Sequence, residues 1–335
     1  MFFSSVATDD CARAYDEVLY IAQQAEALGF TSVWLPERHF HRFGGLFPNP
    51  SVLGAAVARV TERIAIRAGS VVVPLHDPLR IAEEWAMVDA LSRGRAGLSV
   101  ATGWSPVDFV LRPDRYEQRR QDAWDGVDTL RRLWRGEPVE RPTGDGRTVE
   151  VSVMPRPTQA ELPLWVTSSG SRESVVKAAS AGAHLLTHLV DQDTDSLRAA
   201  IELYRKEFRG QGDGHVTVML HAYADVSRAR ALDVATEPLR GYLRSALQLE
   251  QLAHGIPAAE QMVDEELLDI SLERYLERSS LIGDVSTCAA TVARLADIGV
   301  DEVACLVDFG VPFEAIVPSL GLLAGLKNLP EGSTP

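Results

Sequence analysis

The chain alternates short apolar runs with longer amphipathic segments through most of its 335 residues. The apolar runs predict strands over residues 1–4, 31–35, 64–73, 96–101, 162–167, 183–187, 216–224 and 302–307. Apolar residues at helical spacing predict helices over residues 11–28, 53–61, 79–91, 115–133, 171–181, 194–208 and 285–298. Strands that are apolar along nearly their whole length are typical of parallel sheets buried on both faces. Eight such strands with helices between them predict an α/β fold, a (β/α)8 TIM barrel.

Two segments depart from a regular barrel. The first strand has only MFFSS available, so either this strand is very short or the true start lies upstream of Met1. Residues 231–282 are too long for one strand–helix unit and predict a late helical insertion, either a lid or a hairpin packed outside the barrel. We expect one domain over residues 1–330 and disorder over residues 331–335. A doubly wound sheet is the competing architecture, which the lack of a GxGxxG sequence disfavours.

Charge and cysteine content narrow the class of protein. A net charge of −14 and the lack of a basic stretch argue against nucleic-acid binding. The sequence has no run of eighteen apolar residues and no signal-peptide pattern, so we expect no membrane span. The cysteines, Cys11, Cys288 and Cys305, are far apart and fit no disulfide framework. We therefore expect a cytoplasmic protein.

A cluster of ionisable residues follows the second predicted strand. The sequence WLPERHFHRFGG places Glu37, Arg38, His39 and His41 at the C-terminal end of that strand, where TIM barrels carry their active sites. One interpretation is a metal-dependent hydrolase that uses His39 and His41. Other possible ligands at or near later strand ends are His184, His188, His221 and Asp308. Metal-dependent amidohydrolase barrels carry the HxH pair after the first strand, so we expect no metal and keep this hydrolase as a lesser alternative.

Two other features predict a site for a flat, anionic ligand. The segment TSSGSRES, residues 167–174, ends an apolar strand and opens a helix. Hydroxyls and free N–H groups at a helix N-terminus bind anions, although a simple N-cap at Ser171 is the alternative. Small residues also end two other strands, in IRAGSVVVP and SVATGW. These leave room for a flat ligand above the barrel.

Together these segments resemble the luciferase-like flavin monooxygenases, which are (β/α)8 barrels. The resemblance runs in order through LGFTSVWLPERHF, FGGLFPNPSVLGAA, TERIAIRAGSVVVPLHDPLRIAEEWAMVDALSRGRAGLSVATGW, LPLWVTSSGS and GVDEVACLVDFG. The segments PERHFHRFGG, AHLLTHL and ACLVDFG resemble the branch associated with polyketide and nonribosomal peptide biosynthesis.

The resemblance implies that FMN lies at the C-terminal mouth of the barrel. Its phosphate would contact the serine–glycine loop, and its ring would rest on the other two strand ends. The implied cofactor-binding residues are Gly69, Ser70, Ala101, Thr102, Gly103, Trp104, Ser168, Ser169, Gly170 and Ser171. The family often has a non-prolyl cis peptide under the ring, which would fall at Gly69–Ser70 here.

One departure from bacterial luciferase changes the expected chemistry. Luciferase has Glu-His-His-Phe where this chain has Glu-Arg-His-Phe over residues 37–40, and its catalytic histidine aligns with Arg38. Its reactive cysteine aligns with Ala101. We therefore expect a different substrate and no light emission. The first catalytic candidate is His39 and the second is Arg38, and His41 is also a candidate. The alternative for His39 is a purely structural role, in which it bonds to Glu37.

The resemblance implies that reduced FMN and O2 hydroxylate, epoxidise or N-oxidise a natural-product intermediate. It also implies a separate flavin reductase and a homodimer. A substrate bound to a carrier protein would need a basic docking patch such as Arg115, Arg119 and Arg120. The main alternative is an F420-dependent hydride-transfer oxidoreductase, and a non-enzymatic flavin-binding barrel is a further one.

Overall fold

The fold is known from a computed structural model that describes residues 1–6, 8–190 and 192–328. The strands are β1 (Ser32–Leu35), β2 (Ala65–Val72), β3 (Ala96–Ala101), β4 (Val139–Pro142), β5 (Thr148–Val151), β6 (Leu164–Thr167), β7 (His184–His188), β8 (Val216–Ala224), β9 (Leu281–Gly283) and β10 (Glu302–Leu306). The helices are α1 (Cys11–Ala27), α2 (Pro50–Val60), α3 (Pro78–Ser92), α4 (Arg119–Arg135), α5 (Arg172–Ser180), α6 (Thr194–Glu207), α7 (Arg228–Ala253), α8 (Glu265–Arg278), α9 (Val285–Asp297) and α10 (Phe313–Gly325).

Parallel pairing in the order β1-β2-β3-β6-β7-β8-β10 forms the barrel wall. Phe2 closes the wall, because it forms parallel bridges to Trp34 of β1 and to Leu306 of β10. The N–H of Phe2 donates to the carbonyl of Cys305 at 2.7 Å, and the N–H of Trp34 donates to the carbonyl of Met1 at 2.8 Å. The predicted α/β TIM barrel is therefore confirmed, with its first strand reduced to these two bridges of Phe2.

Local sequence explains where the helices begin. In α2 the side chain of Asn49 accepts hydrogen bonds from the N–H groups of Ser51 and Val52, and Pro50 occupies the first helical position. Asp77 caps α3 in the same way, again with a proline first. Helix α4 begins at Arg119 rather than at the predicted residue 115, because short 3-10 turns occupy residues 108–111 and 113–115. The pair β4–β5 forms a hairpin around GDG, outside the barrel wall.

The segment predicted as an insertion folds into α7, α8 and β9. Helix α7 contacts the barrel mouth, since the ring of Tyr242 lies 4.6 Å from that of Phe43 and 4.4 Å from that of His221. Whether this segment acts as a lid stays a prediction, as does the single domain over residues 1–330. Residues 329–335, including the predicted disordered tail, lie outside the described residues. Among the helices that are described, none is both long and apolar enough to cross a bilayer.

The floor of the barrel, at the opposite end from the mouth, is closed by an ion pair. Arg67 lies between the rings of Trp34 and Trp165, at 4.9 and 4.3 Å from their centroids. Its guanidinium donates to both carboxylate oxygens of Glu302, at 2.8 and 3.1 Å. His184 also lies here, 4.9 Å from Trp165. His184, considered above as a possible metal ligand near a strand end, begins β7 and therefore lies at the floor, away from His39 and His41.

Candidate active site

The loop after β1 is tied to the end of β2 by one buried carboxylate. Glu37 Oε1 is 2.9 Å from His39 Nε2 and 2.5 Å from His76 Nε2. Its Oε2 accepts the N–H of Val72 at 2.7 Å. Burial opposes ionisation of Glu37, but these hydrogen bonds outweigh it and hold the pKa of the carboxyl below its ordinary value. The bond between His39 and Glu37 is the structural alternative considered for His39, and it leaves His39 Nδ1 without a hydrogen-bond partner among the described residues.

Arg38 brings a cation to the mouth that forms no ion pair with any described residue, although the charge of Asp108 acts on it. Its Nε is buried and has no hydrogen-bond partner, and within the described residues its guanidinium forms no ion pair. The Cζ atom lies 5.0 Å from the centroid of Phe43. Burial lowers the pKa of Arg38. Gly44 is needed beside it, because an added Cβ there would stand 2.7 Å from Arg38 Cδ at a φ of +71°. Arg38 can therefore bind an anionic group or a polarised oxygen.

His41 is directed into its own loop. Its Nδ1 accepts the N–H of Phe43 at 3.0 Å. Burial and the nearby charge of Arg38 lower the pKa of His41. Of the three catalytic candidates, His39 and Arg38 are therefore better placed for proton transfer or ligand binding than His41.

Aromatic and polar side chains from distant parts of the chain complete the mouth. The hydroxyl of Tyr242 is 3.3 Å from Ser4 Oγ. Asp308, after β10, accepts the N–H groups of Ser4 at 2.7 Å and Ser5 at 2.9 Å. Burial raises the pKa of Asp308 to about 6, against the effect of these hydrogen bonds. Sequence reasoning did not place Tyr242 in the site, because only the path of α7 brings it there.

His221 is a neutral group under this mouth. It is fully buried, and its Nδ1 lies 2.7 Å from the hydroxyl of Tyr275. Burial lowers the pKa of His221 to about 3. No group of three or more His, Cys, Asp or Glu side chains is arranged to hold a metal ion in the described part of the chain. The metal-hydrolase interpretation of His39 and His41 gains no support from this geometry.

The predicted ring site is lined by small and hydroxylated residues. The peptide Gly69–Ser70 is cis, as predicted. Ser70 Oγ lies 2.6 Å from Thr167 Oγ1, which lies 2.7 Å from Ser99 Oγ. A Cβ on Gly69 would stand 2.8 Å from the ring of Phe2, so only glycine fits between this strand and the barrel interior.

The end of β3 continues this surface. Ala101, Thr102 and Gly103 are half-buried, and Trp104 is 51% exposed at the rim. Gly103 has a φ of +76°, and a Cβ there would stand 2.8 Å from the ring of Phe109. The strand ends thus present backbone and small side chains to a ligand above them.

The predicted phosphate loop forms the N-terminus of α5. Ser171 caps the helix, since its Oγ accepts the N–H of Ser174 at 3.3 Å. Gly170 has a φ of +97°, and its N–H donates to Ser168 Oγ at 3.1 Å. The N–H groups of Ser169 and Ser171 have no acceptor among the described residues, and both residues are exposed. Ser171 is therefore an N-cap, as the alternative interpretation predicted. The N–H groups of Ser169 and Ser171 could in addition bind an anion.

The arginines of the predicted basic patch each contact a neighbouring group. Arg119 donates to the carbonyls of Gly103 and Tyr116, at 3.2 and 2.7 Å. Arg115 pairs with Asp114 and Asp122, and Arg120 lies 3.8 Å from Glu173. The side chains of Arg115 and Arg120 stay 44% and 71% exposed despite these pairs, so docking of a carrier protein here stays a prediction.

The chain is similar in sequence to a known protein family and to individual monooxygenases. A profile of the family described as luciferase-like monooxygenase matches residues 1–302. The oxygenase component of the flavin-dependent trigonelline monooxygenase of Acinetobacter baylyi is 24% identical over 91% of this chain and 87% of its own length. The 4-hydroxyprotoasukamycin monooxygenase of Streptomyces nodosus subsp. asukaensis is 29% identical over 82% of this chain and 75% of its own.

Solved structures show the same fold at low sequence identity. A monooxygenase from Streptomyces bottropensis has a TM-score of 0.79 at 22% identity, over 97% of this chain and 98% of its own. The oxygenating constituent of 3,6-diketocamphane monooxygenase from Pseudomonas putida, in complex with FMN, has a TM-score of 0.73 at 16% identity, over 93% and 92%. The F420-dependent tetrahydromethanopterin reductase of Methanopyrus kandleri has a TM-score of 0.73 at 15% identity, over 96% of both.

Proposed function

We propose that this chain, which belongs to the luciferase-like monooxygenase family, is the oxygenase component of a two-component monooxygenase that uses reduced FMN. Family membership makes the chain a flavin-dependent oxidoreductase. The observation that carries the choice of FMN is the N-terminus of α5, where exposed, unpartnered N–H groups meet a cap serine. A phosphate monoester matches these donors in size and charge.

The described residues fit FMN at the mouth. The loop of Ser168, Ser169, Gly170 and Ser171 would hold the phosphate. The ring would lie on the strand ends that contain Gly69, Ser70 and residues 101–104. Reduced FMN supplies the electrons that activate O2 for transfer of one oxygen atom to a substrate. The protein's part is to hold the ring, exclude water and control protons.

In the proposal, an aromatic wall, Arg38 and His39 exclude water, bind charge and control protons. Phe43 and Tyr242 form an apolar wall in contact with each other, which limits the access of water. Arg38 offers a cation to an anionic substrate group or a polarised oxygen. His39 offers a ring nitrogen as proton donor or acceptor at the mouth, because its other nitrogen is held by Glu37.

The F420 alternative fits the phosphate loop less well. The acidic tail of F420 would need several cations beside this loop. The nearby cations are Arg172, which is exposed, and Arg120, which already contacts Glu173. Arg172 forms no ion pair with a described residue, and one such arginine suits a single phosphate better than a polyanionic tail. Hydride transfer with F420 is therefore the second candidate.

The nature of the substrate follows from the relatives. One relative is named as an oxygenase component, and the other as a monooxygenase acting on 4-hydroxyprotoasukamycin. We therefore infer that a separate reductase supplies reduced FMN and that the substrate is a natural-product intermediate. A carrier-bound substrate, a homodimer and a cytoplasmic location remain predictions from the sequence.

Anaerobic titration of the purified protein with FMN, reduced FMN and F420, each in turn, tests the proposal. We expect reduced FMN to bind most tightly, and admission of O2 to oxidise the bound flavin at a rate different from that of free reduced FMN. F420 binding without FMN binding would transfer the assignment to hydride transfer. No flavin binding at all would remove both candidates.

A further inference from the structure

We propose that Glu37 and His76 form a proton relay that connects a groove on the outside of the barrel with His39 at the mouth. This inference rests on the proposed function, because it assigns His39 a proton to deliver there. His76 was not singled out by the sequence. It becomes visible only in the folded chain, where it and His39 contact the same carboxylate oxygen.

The centre of the relay is sealed from solvent. The side chain of Glu37 is 1% exposed, and that of His39 is 10% exposed. The N–H of Val72 fixes Oε2, so that Oε1 faces the two imidazoles at 2.9 and 2.5 Å. Since the side chain of this carboxylate has almost no access to bulk water and adjoins only a cavity of about 20 Å³, its main routes of proton exchange are His39 and His76.

The outer end of the relay is open. The side chain of His76 is 30% exposed and lines a groove of about 350 Å³ between the start of α3 and α4. Among the described residues, neither His76 Nδ1 nor His39 Nδ1 has a hydrogen-bond partner. Each imidazole therefore binds Glu37 through one nitrogen and keeps the other for a proton on its far edge.

Charged groups around the relay set its polarity. Burial lowers the pKa of His76, but the hydrogen bond and charge of Glu37 outweigh it and raise that pKa. Glu84 of α3 adds to the increase and Arg112 opposes it. Asp77 and Arg80 also lie beside His76, and Arg38 and Asp108 lie beside His39. The groove that His76 lines contains further charged side chains, namely Arg115, Asp122, Asp125 and Arg141. A cationic His76 next to an ionised Glu37 is thus favoured at the groove end.

The proton balance of the relay closes. A proton from the groove binds His76 Nδ1, and the proton on His76 Nε2 passes to Glu37 Oε1. Glu37 passes it to His39 Nε2, which starts unprotonated with the His39 proton on Nδ1, and His39 releases that Nδ1 proton at the mouth. One turn leaves His76 protonated on Nδ1 and His39 on Nε2, so rotation of each ring restores the starting tautomers before the next turn. The proposed reaction takes up one proton for each anionic reduced FMN. This holds whether the second oxygen atom leaves as water or, without a substrate, both leave as hydrogen peroxide. A relay supplies this proton without admitting water to the mouth.

The kinetic test uses reduced FMN and O2 as the only reactants and His76→Gln as the variant. Gln retains an N–H donor for Glu37 but cannot carry a proton through its side chain. We expect the rate of flavin oxidation to fall tenfold or more at about pH 9, with FMN affinity unchanged, because general acid catalysis contributes about 10²–10⁴. Added imidazole should restore the rate. His254→Gln, at an exposed histidine on the end of α7, should behave as the unchanged protein.

The same pH profile in H76Q and the unchanged protein, with no response to imidazole, would overturn the relay and leave a purely structural contact. A second measurement does not depend on flavin. Nitrogen-15 NMR of the histidines should show that Glu37→Gln lowers the pKa of His76 towards its ordinary value. An unchanged pKa in a folded E37Q protein would also overturn the relay, whereas failure of the proposed function would show in the flavin titration instead.

Discussion

The ion pair on the barrel floor allows a prediction whose size can be worked out. Arg67 and Glu302 have side chains only 15% and 13% exposed, and Ser32 Oγ and His215 Nε2 also contact Glu302, at 2.6 and 3.1 Å. Glu302→Gln keeps the shape but leaves the Arg67 guanidinium buried without a counter-charge. Removing one partner of a buried pair costs about 3–5 kcal/mol. For 335 residues, an unfolding entropy of about 0.7 kcal/mol/K converts this to a fall in Tm of about 4–7 °C.

The pH dependence of this loss has a definite sign. Burial opposes ionisation of Glu302, but the hydrogen bond from His215, the charge of Arg67 and the bond from Ser32 outweigh it and hold the pKa far below the ordinary value. A carboxyl with a depressed folded-state pKa stabilises the fold above its unfolded pKa of about 4.3, and this stabilisation disappears as the pH falls through the folded pKa. The difference between E302Q and the unchanged protein should therefore be constant above about pH 5 and shrink in stronger acid.

Urea denaturation of E302Q, R67M and the double variant measures the effect. The double variant should lose less than the sum of the single losses, because it removes both charges together. Glu265→Gln, which removes an exposed partner of Arg240, is the matched control and should change stability far less. FMN affinity at 25 °C should be unchanged in E302Q, because the floor lies opposite the mouth. A loss under about 1 kcal/mol would refute the reasoning.

Three further changes probe the mouth. Gly170→Ala would put a Cβ 2.6 Å from Gln192 Oε1 at a φ of +97°. The affinity for FMN should therefore fall by roughly tenfold, while the affinity for riboflavin, which lacks the phosphate, should stay the same. Gly144→Ala, where a Cβ meets nothing within 4 Å, is the control. The pKa of Asp308 is raised in the folded state, so the free energy of unfolding should fall by up to about 3 kcal/mol as the pH rises from about 4 to 6. Asp308→Asn should reduce this dependence of the unfolding free energy on pH, as measured by urea titrations at several pH values. Arg38→Met should raise Tm while slowing oxygenation at least tenfold, and a fall in Tm would contradict the absence of a partner for this cation.

The barrel wall could be predicted because its strands are continuous apolar runs. The bounds of β3 and β8 agree with the predicted residues, and most other strands differ by one or two positions. The apolar residues at the start of the chain are too few to predict the bounds of the first strand. Its pairing depends on contacts of Phe2 with Trp34 and Leu306, which are far apart in the chain. The helix α10 was missed, since it is apolar on most sides and contains Pro318.

The candidate site also has a part that the sequence predicts and a part that it does not. The ring and phosphate surfaces consist of short consecutive segments whose residues are recognisable in the sequence, and the cis peptide at Gly69–Ser70 was predicted from the resemblance. The contacts around Glu37 and Tyr242 join segments that are 39 and 238 residues apart. A periodic pattern describes a neighbourhood of a few residues, so it cannot show which distant side chains will share an oxygen.

Arg67 at the floor and Arg38 at the mouth are both largely buried cations, but their surroundings differ. This difference indicates that Arg38 has a functional role. Arg67 is matched by Glu302 and by two tryptophan rings, so its surroundings already satisfy its charge. Arg38 contacts the ring of Phe43 but has no carboxylate partner among the described residues. A buried cation without a partner lowers the stability of the empty protein, and such a group persists where a ligand completes its contacts. The opposite signs expected for E302Q and R38M in the same unfolding experiment therefore distinguish a residue that stabilises the barrel from one that is kept for its ligand.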